Sequence, residues 1–292
     1  MRKSNVARVS LPCAQGLPQG VQGSWNPLVT VITPTYNRAN LIGRTIQSII
    51  DQTYDNIEHI IVNDGGEDIS KVIKGISKNN YKKAKRIKYI NKKEHEGVSA
   101  TRNVALKEAK GDYICLLDDD DIYLPLAIEF RLWAMEKFGA EIVYTRALKD
   151  IWDVKNGVYV SVKKELYWEC PFNKDLILIQ NVAHSPCVLF SRAAWNKSGN
   201  YMYDTTLETG EDYDFWIALS RNTDFYNLQI IDAESTIRPA DKTQATGKKD
   251  FSISYPIIYK RWRDTAINKN WVIENQNRVL TNIGKNPEDY GL

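Results

Sequence analysis

Apolar, β-branched segments alternate with helical patterns along the first part of the chain, and this alternation constrains the fold more than any other feature. Strands are predicted at residues 28–33, 57–62, 86–90 and 112–117, with apolar residues recurring at helical spacing between them. Consecutive strand–helix–strand units form right-handed crossovers. The pattern therefore predicts an α/β fold, with a mostly parallel twisted sheet and helices on both faces.

Polar segments follow three of these predicted strands, at residues 33–38, 63–66 and 118–121. In parallel α/β sheets, ligands bind at the carboxyl ends of the strands, near the point where the strand order reverses. The sequence therefore predicts that the three polar segments form a binding site at one edge of the sheet.

A run of four aspartates at residues 118–121 is the strongest chemical feature. Adjacent carboxylates repel one another, so clustering them does not help the fold unless cations compensate their charge. Hard divalent cations such as Mn²⁺ or Mg²⁺ bind one or two carboxylates together with substrate phosphates. An acidic surface loop is the alternative, but the position directly after a predicted buried strand favours metal binding.

Three further places carry candidate functional residues. Residues 211–214 form a second acidic cluster, which is either a helix start favoured by the helix dipole or the source of a general base. Asp64 follows a predicted strand and precedes two glycines that permit a tight turn. Arg102 is suited to contact a phosphate or a nucleobase, or to pair with an acidic side chain.

The second half of the chain has a less regular pattern, with no internal repeat and no sharp linker. Beyond residue 239 the sequence becomes polar and then helical again. The predicted elements are helices at 124–138, 213–220, 253–263 and 271–280, and strands at 142–145, 159–162 and 187–190.

Composition argues against several classes of protein. A net charge of +3 is far below the basic excess of a dedicated nucleic-acid binder. The mean hydropathy is -0.43, and no apolar run approaches the roughly 20 residues of a membrane span. Four cysteines without CxxC spacing suit a reducing cytoplasm. The chain has no GxGxxG, Walker A, HExxH or GxSxG motif, which disfavours Rossmann dehydrogenases, P-loop enzymes, zincins and α/β-hydrolases.

Six segments, taken in order, resemble those of the family 2 glycosyltransferases, which have a GT-A fold. Each segment alone is only modestly specific, whereas six in register over roughly the first 220 residues are highly specific. The segments are VTVITPTYNR at 29–38, SIIDQTY at 48–54, IIVNDGG at 60–66, GVSATRN at 97–103, GDYICLLDDDD at 111–121 and EDYDFW at 211–216.

The resemblance also implies how the chain is divided. Residues 26–240 would form the GT-A domain, with a nucleotide-binding half at 26–122 and a less regular acceptor-side half at 123–240. Residues 1–25 are rich in Gly, Pro, Gln and Ser and are predicted to be a flexible N-terminal arm. Residues 241–292 would form a C-terminal helical extension.

The matching positions imply roles for individual residues in a nucleotide-sugar site. Asp64 would accept a hydrogen bond from the base, typically uracil, and Arg102 would lie near the nucleotide. Asp118 or Asp119, within the DxD element, would hold the ribose. The remaining positions expected around the nucleotide are Thr33, Pro34, Tyr36 and Arg38.

The resemblance further implies a metal ligand and a catalytic base. Asp120 would bind Mn²⁺ or Mg²⁺ directly, and the metal would stabilise the charge on the departing nucleotide diphosphate. Asp212, in the ED motif, would take the proton from an acceptor hydroxyl that attacks the anomeric carbon from the opposite face. A single displacement of this kind inverts the anomeric configuration.

Two departures from the family pattern affect the nucleotide site. Asn63 stands where many members have a second acidic residue. Many members also have a late basic motif with a histidine that helps to hold the diphosphate. This chain has Arg238 but no histidine near it, and Lys242 is a candidate substitute.

The expected function is sugar transfer from a nucleotide diphosphate-sugar, with a UDP-sugar favoured, to a glycan, lipid-linked or protein acceptor in cell-surface glycan or polysaccharide assembly. The expected location is the cytoplasm, with peripheral contact to the inner membrane face through the basic stretch at 71–93 or the helix at 253–263 as an option. A homo-oligomer is a further option, and the modest net charge disfavours a nucleic-acid partner.

Two other functions compete with this one. A nucleotidyltransferase has a similar sheet and paired aspartates, but usually needs a Gly-rich basic loop after the first strand, which this chain lacks. A non-catalytic nucleotide-sugar or glycan-binding module is disfavoured because both Asp120 and Asp212 are present.

Overall fold

The structure of the protein is a computed structural model. Lys242 and all but the last residue of the predicted N-terminal arm lie outside the part of the chain that it describes. The described residues are 25–78, 84–155, 158–167, 170–238 and 251–292.

The first four strands are β1 (Val29–Thr35), β2 (Ile57–Asn63), β3 (Ile87–Asn91) and β4 (Tyr113–Leu116). They lie parallel in the spatial order β3–β2–β1–β4, which confirms the parallel arrangement predicted from the sequence. Ile32 of β1 pairs with Leu116, the last residue of β4. The chain that leaves β4 therefore runs beside the end of β1, and this places the four aspartates next to the polar segment that follows β1.

Helices cover both faces of this parallel part. Helices α1 (Ile42–Ile50) and α2 (Ser70–Ser77) pack on one face, and α3 (Val98–Glu108) packs on the other. Neighbouring side chains of a strand point to opposite faces. Ile60 of β2 therefore joins the apolar cluster of α3, whereas Ile61 joins that of α1 and α2.

Five more strands extend the sheet beyond β4 and complete the predicted GT-A architecture. They are β5 (Ile122–Tyr123), β6 (Ile142–Lys155), β7 (Val158–Leu166), β8 (Val188–Ser191) and β9 (Phe225–Ile237). The spatial order continues β4–β8–β6–β9–β5, and β7 pairs with the second part of β6. Strands β5, β7 and β8 run opposite to the others, so this nine-stranded sheet of the described residues is mixed but mostly parallel. It continues without a break across the predicted boundary between the two halves.

The later helices surround this extension, and the last two cover its core. Ile258 and Tyr259 are fully buried, and the Tyr259 hydroxyl donates to the carbonyl of Ile179 at 2.6 Å. No helix in the described ranges has the length and apolar content needed to cross a membrane. The helices are α4 (Ala127–Phe138), α5 (Arg192–Lys197), α6 (Glu211–Ser220), α7 (Phe251–Trp262) and α8 (Lys269–Asn282), with 3₁₀ turns at Leu176–Leu178, Ser185–Cys187, Arg263–Thr265 and Pro287–Tyr290.

The sequence pattern does not predict β5, β9 or α5, although β9 is 13 residues long. The buried positions of β9 include the polar residues Asp232, Ser235 and Thr236. Its pairing with β6 also shifts register twice. The alternation of apolar and polar residues that indicates a strand is therefore missing from this segment.

A buried ion pair fastens α4 to the extended sheet. Arg131 is fully buried and donates from Nε and Nη2 to the two carboxylate oxygens of Asp232 in β9, at 2.7 and 2.6 Å. The Thr145 hydroxyl of β6 donates to the same carboxylate at 2.6 Å, and the guanidinium lies 4.6 Å from the ring centre of Tyr123. A two-point pair with added hydrogen bonds is the arrangement in which buried charges are tolerated.

We expect the Arg131→Met variant to lose about 3–5 kcal/mol of unfolding free energy, because it leaves the carboxylate of Asp232 buried without its cation. Urea unfolding checks this value. Lys88→Met is the matched control, since Lys88 pairs with Glu108 at the surface and should cost only about 0–1 kcal/mol. Equal losses in the two variants would contradict the assignment of Arg131 as a structural anchor.

Candidate nucleotide-sugar site

A cleft of about 540 Å³ opens at the carboxyl ends of β1, β2 and β4. The residues expected to bind the nucleotide or the metal line this cleft, except for Thr33. Glu211 and His184 reach it from the second half of the chain. The predicted residues that line the cleft are Pro34, Tyr36, Arg38, Asp64, Arg102, Asp118, Asp119 and Asp120.

Arginines and a threonine hold the middle of the acidic run. Asp119 accepts one hydrogen bond from the Thr35 hydroxyl and one from Arg38 Nη1, both at 2.7 Å. Arg238 Nη2 lies 2.8 Å from Asp120 Oδ2, and Arg38 Nη1 lies 3.3 Å from the same oxygen. Two arginines that follow different strands, β1 and β9, therefore compensate part of the charge of the run.

Burial and mutual repulsion still make the run electrostatically unfavourable. Burial raises the pKa of Asp119 to about 6, with the attraction of Arg38 acting against it and repulsion from Asp120 adding to it. Burial also raises the pKa values of Asp120 and Asp121. At Asp118 burial acts in the same direction, but the nearby Arg102 outweighs it and lowers the pKa.

Arg102 joins the acidic run to the second acidic cluster. Its Nη2 lies 2.9 Å from Asp118 Oδ1, and its Nη1 lies 3.0 Å from Glu211 Oε1 in the first turn of α6. Arg102 and Glu211 are almost fully buried, whereas the side chain of Asp118 is 35% exposed. The pairing that the sequence left open for Arg102 is therefore present, and it fixes the distance between β4 and α6.

Asp64 holds a turn that covers one side of the cleft. Its carboxylate accepts from Lys92 Nζ at 2.5 Å and from the backbone N–H groups of Glu96 and Gly97 at 3.1 and 2.8 Å. His95 Nδ1 lies 2.7 Å from the second carboxylate oxygen. The His95 ring stacks on Tyr36, with ring centres 4.0 Å apart.

Two predicted site residues lie away from the cleft lining. Thr33 is fully buried in β1, where its hydroxyl lies 2.9 Å from His59 Nε2, and it is Thr35, two residues further along β1, that lines the cleft. Asp212 is partly buried in the first turn of α6 and accepts a hydrogen bond from the Ser185 hydroxyl at 2.9 Å. Asp212 is thus the neighbour of a cleft residue, Glu211, without lining the cleft itself.

Sequence reasoning missed Thr35 and the long-range contact of Arg238. The sequence pattern could have identified Thr35. Strand alternation places Thr35 and Thr33 on the same face of the strand, and Thr35 directly follows Pro34 in the polar segment. The contact between Arg238 and Asp120 joins positions 118 residues apart, so the local pattern carries no signal for it.

The donor atoms of the cleft fit a divalent cation that is shared with a phosphate ligand. Six carboxyl groups and two arginines are found among the described lining residues, so a diphosphate needs further positive charge to bind here. In the described part of the chain, no three or more His, Cys, Asp or Glu side chains are grouped to enclose a metal ion. Mn²⁺ or Mg²⁺ would therefore take one or two carboxylates and draw its remaining ligands from phosphate and water, as Mg²⁺ commonly does.

Comparison with known proteins identifies the family. Residues 30–197 match the sequence model of Glycosyl transferase family 2. The chain belongs to this family. An uncharacterized glycosyltransferase of Rickettsia typhi is 30% identical over 224 residues, which cover 76% of this chain and 68% of that protein. An Escherichia coli K12 protein named for glycosyl transfer in colanic acid biosynthesis is 28% identical over 198 residues, 66% of each chain.

Solved structures share the fold of this family 2 glycosyltransferase. S. aureus TarS in complex with UDP-GlcNAc superposes with a TM-score of 0.65 and 17% identity, over 88% of this chain and 72% of that one. The mannosyltransferase PcManGT from Pyrobaculum calidifontis, in complex with GDP-Man and Mn²⁺, gives a TM-score of 0.53 and 14% identity, over 89% and 76%. The predicted GT-A fold is confirmed by these likenesses.

We expect Arg102→Met to destabilise this glycosyltransferase by about 3–5 kcal/mol, because the buried Glu211 and the partly exposed Asp118 both lose this cation. Glu211→Gln is the matched comparison and should cost about 1 kcal/mol, since Arg102 keeps Asp118 and an amide oxygen replaces the carboxylate. Urea unfolding of both variants measures the difference. A larger loss for Glu211→Gln would show that Arg102 does not bridge the two acidic clusters.

Proposed function

We propose that this glycosyltransferase moves a sugar from a UDP-sugar to a hydroxyl of a glycan acceptor, with a divalent cation and with inversion at the anomeric carbon. The observation that carries the proposal is the acidic run at the end of β4. It lies on a cleft large enough for a nucleotide-sugar, and Arg102 connects it to the turn of α6 that contains Asp212.

The nucleoside part would bind between β1 and β2. Tyr36 is 41% exposed and offers a flat face to a base. Asp118 is the better candidate for the ribose, because its side chain is 35% exposed whereas Thr35 and Arg38 engage both oxygens of Asp119. Pro34 ends the apolar part of β1 and would shape the turn beside the nucleotide.

Asp64 would read the base only after a local rearrangement. A carboxylate has about four lone-pair sites. Lys92, His95 and the N–H groups of Glu96 and Gly97 already contact these oxygens. His95 is exposed and also stacks on Tyr36, so a uracil that stacks there and bonds to Asp64 would displace the His95 ring.

The diphosphate would lie over the acidic run. Arg38 and Arg102 line the cleft there and hold the carboxyl groups of the run in fixed directions. Asp120 would hold Mn²⁺ or Mg²⁺, with phosphate oxygens and water as its other ligands. When bound, the cation supplies Lewis-acid stabilisation of the negative charge that develops on the departing UDP.

Asp212 would act as the general base on the acceptor side. Its carboxylate would take the proton of the acceptor hydroxyl while that oxygen bonds to the anomeric carbon and the bond to UDP breaks. Burial, and after it the charge of Asp212, raises the pKa values of Tyr167 and Tyr255, so these aromatic rings lie within reach of its charge. An aromatic ring near the base would suit a sugar ring as the acceptor.

The relatives support this choice of donor, cofactor and role. TarS was solved with UDP-GlcNAc, which supports a UDP-sugar donor, and PcManGT was solved with Mn²⁺, which supports the cation, although its own donor is GDP-Man. The E. coli relative is named for glycosyl transfer in colanic acid biosynthesis. We extend these properties to this chain as a proposal and expect a cell-surface polysaccharide as its product.

We expect Asp212→Asn to lower kcat by about 100-fold to 10,000-fold, because an amide cannot take the proton, while the affinity for UDP stays unchanged. Asp120→Ala should abolish turnover and also remove the dependence of UDP binding on Mn²⁺. Steady-state kinetics and calorimetric titration with UDP measure both effects. Asp224→Asn, which changes an exposed carboxylate, is the control. Near-normal turnover of Asp212→Asn would rule out its role as the base.

A panel of nucleotide sugars assayed with Mn²⁺ should show release of UDP from at least one UDP-sugar, with loss of activity in EDTA. NMR of the sugar product should give the anomeric configuration opposite to that of the donor. Release of pyrophosphate would instead indicate a nucleotidyltransferase. Binding of a donor without turnover, under any acceptor condition tested, would indicate a non-catalytic module.

A further inference from the structure

The proposed base is held by a side chain from another part of the chain. The Ser185 hydroxyl donates to Asp212 Oδ2 at 2.9 Å, although the two residues are 27 positions apart. Ser185 is 3% exposed, so this hydroxyl is not a solvent contact. The other carboxylate oxygen of Asp212 accepts from the backbone N–H of Tyr213 at 2.7 Å, within its own helix.

Ser185 is fixed relative to the acidic run. It begins the 3₁₀ turn Ser185–Cys187, which leads directly into β8, and β8 pairs with β4, the strand that ends at the run. The N–H of Cys187 donates to the carbonyl of His184 at 2.8 Å and closes the turn. The His184 ring in turn lies 2.9 Å from the Ser235 hydroxyl of β9. The turn is therefore anchored to strands on both of its sides.

The contact within α6 cannot fix the direction of the carboxylate by itself. The first turn of a helix has N–H groups without intrahelical partners, and a carboxylate there is attracted to several of them. The Ser185 hydroxyl removes this freedom, because the turn that contains it leads into β8 and it holds one carboxylate oxygen at a position set by β8 and its partner β4. The orientation of Asp212 is then coupled to β4, the strand that ends at the acidic run.

We propose that Ser185 is a positioning residue that orients Asp212 toward the bond between the acceptor oxygen and the anomeric carbon. This inference rests on the proposed function, in which Asp212 is the base. The Ser185 hydroxyl keeps its own proton and touches neither substrate. It fixes the carboxylate so that the proton of the acceptor moves to Asp212 without a prior rotation of the side chain.

Ser185→Ala tests this role with the UDP-sugar that the donor panel selects. We expect kcat to fall about 10-fold to 100-fold, because misplacement of a catalytic group by about 1 Å has an effect of this size. The KM for the donor and the affinity for UDP should stay within about 2-fold, because the nucleotide contacts lie on other residues. A fall in kcat with an equal rise in the donor KM would overturn the proposal.

Ser220→Ala is the matched control for the loss of a buried hydroxyl on α6. Ser220 is fully buried near the other end of the helix and donates to the carbonyl of Ile217 at 2.7 Å. We expect its removal to lower the midpoint of thermal unfolding without changing kcat. Equal decreases of kcat in Ser185→Ala and Ser220→Ala would show that the effect is structural and would overturn the proposal.

A double-mutant cycle separates this inference from the proposed function. If Ser185 acts through Asp212, Ser185→Ala should lower kcat in the parent chain but change it by less than about 2-fold in the Asp212→Asn background. An equal loss in both backgrounds would overturn the positioning role. If Asp212→Asn abolishes turnover and Ser185→Ala is fully active, only this inference fails. If Asp212→Asn is itself fully active, Asp212 is not the base, and the proposed mechanism fails together with the positioning role.

Discussion

The buried charge of the acidic run is the constraint on which the rest of the structure depends. Asp119, Asp120 and Asp121 are at most 5% exposed, and buried carboxylates need paired cations to be tolerated. Arg38 and Arg238, which follow β1 and β9, pair with this run, so its cations come from strands that are far apart in the chain. The cleft can form only when these segments fold together. The cleft is therefore a product of the tertiary fold and not of any single segment of the chain.

The raised pKa values show that this compensation is incomplete. A carboxyl group whose pKa is raised by burial makes the ionised protein less stable than it would be with the group neutral. A bound divalent cation would relieve that cost, and anything that binds the folded state alone stabilises it. Local instability of this kind is typical of functional sites, where the local arrangement serves the ligand rather than the fold. The acidic run thus carries a charge imbalance that the proposed cation would relieve.

Local patterns predicted the parallel strands and the acidic run, because both are encoded in neighbouring residues. The β-branched segments of β1, β2 and β4 and the aspartates that follow β4 needed no knowledge of distant contacts. The pattern missed β9, because polar residues such as Asp232 are buried there by partners from α4 and β6. It also included Thr33 in the polar segment of the site, although the Thr33 hydroxyl is buried and lies 2.9 Å from Nε2 of His59 in β2. In each case the missing information was a contact partner from a distant segment of the chain.

The second acidic cluster shows how environment separates two adjacent carboxylates. Neighbouring positions in a helix point about 100° apart, so Glu211 faces α3 and Asp212 faces the turn that begins at Ser185. Glu211 is 5% exposed and committed to Arg102, and an ion pair with a cation stabilises the charged form and weakens a carboxylate as a base. Moving Glu211 to take a proton would also leave Arg102 with less compensation beside Asp118. Glu211 is therefore suited to hold the two acidic clusters together, which agrees with the proposal that Asp212, and not Glu211, takes the proton.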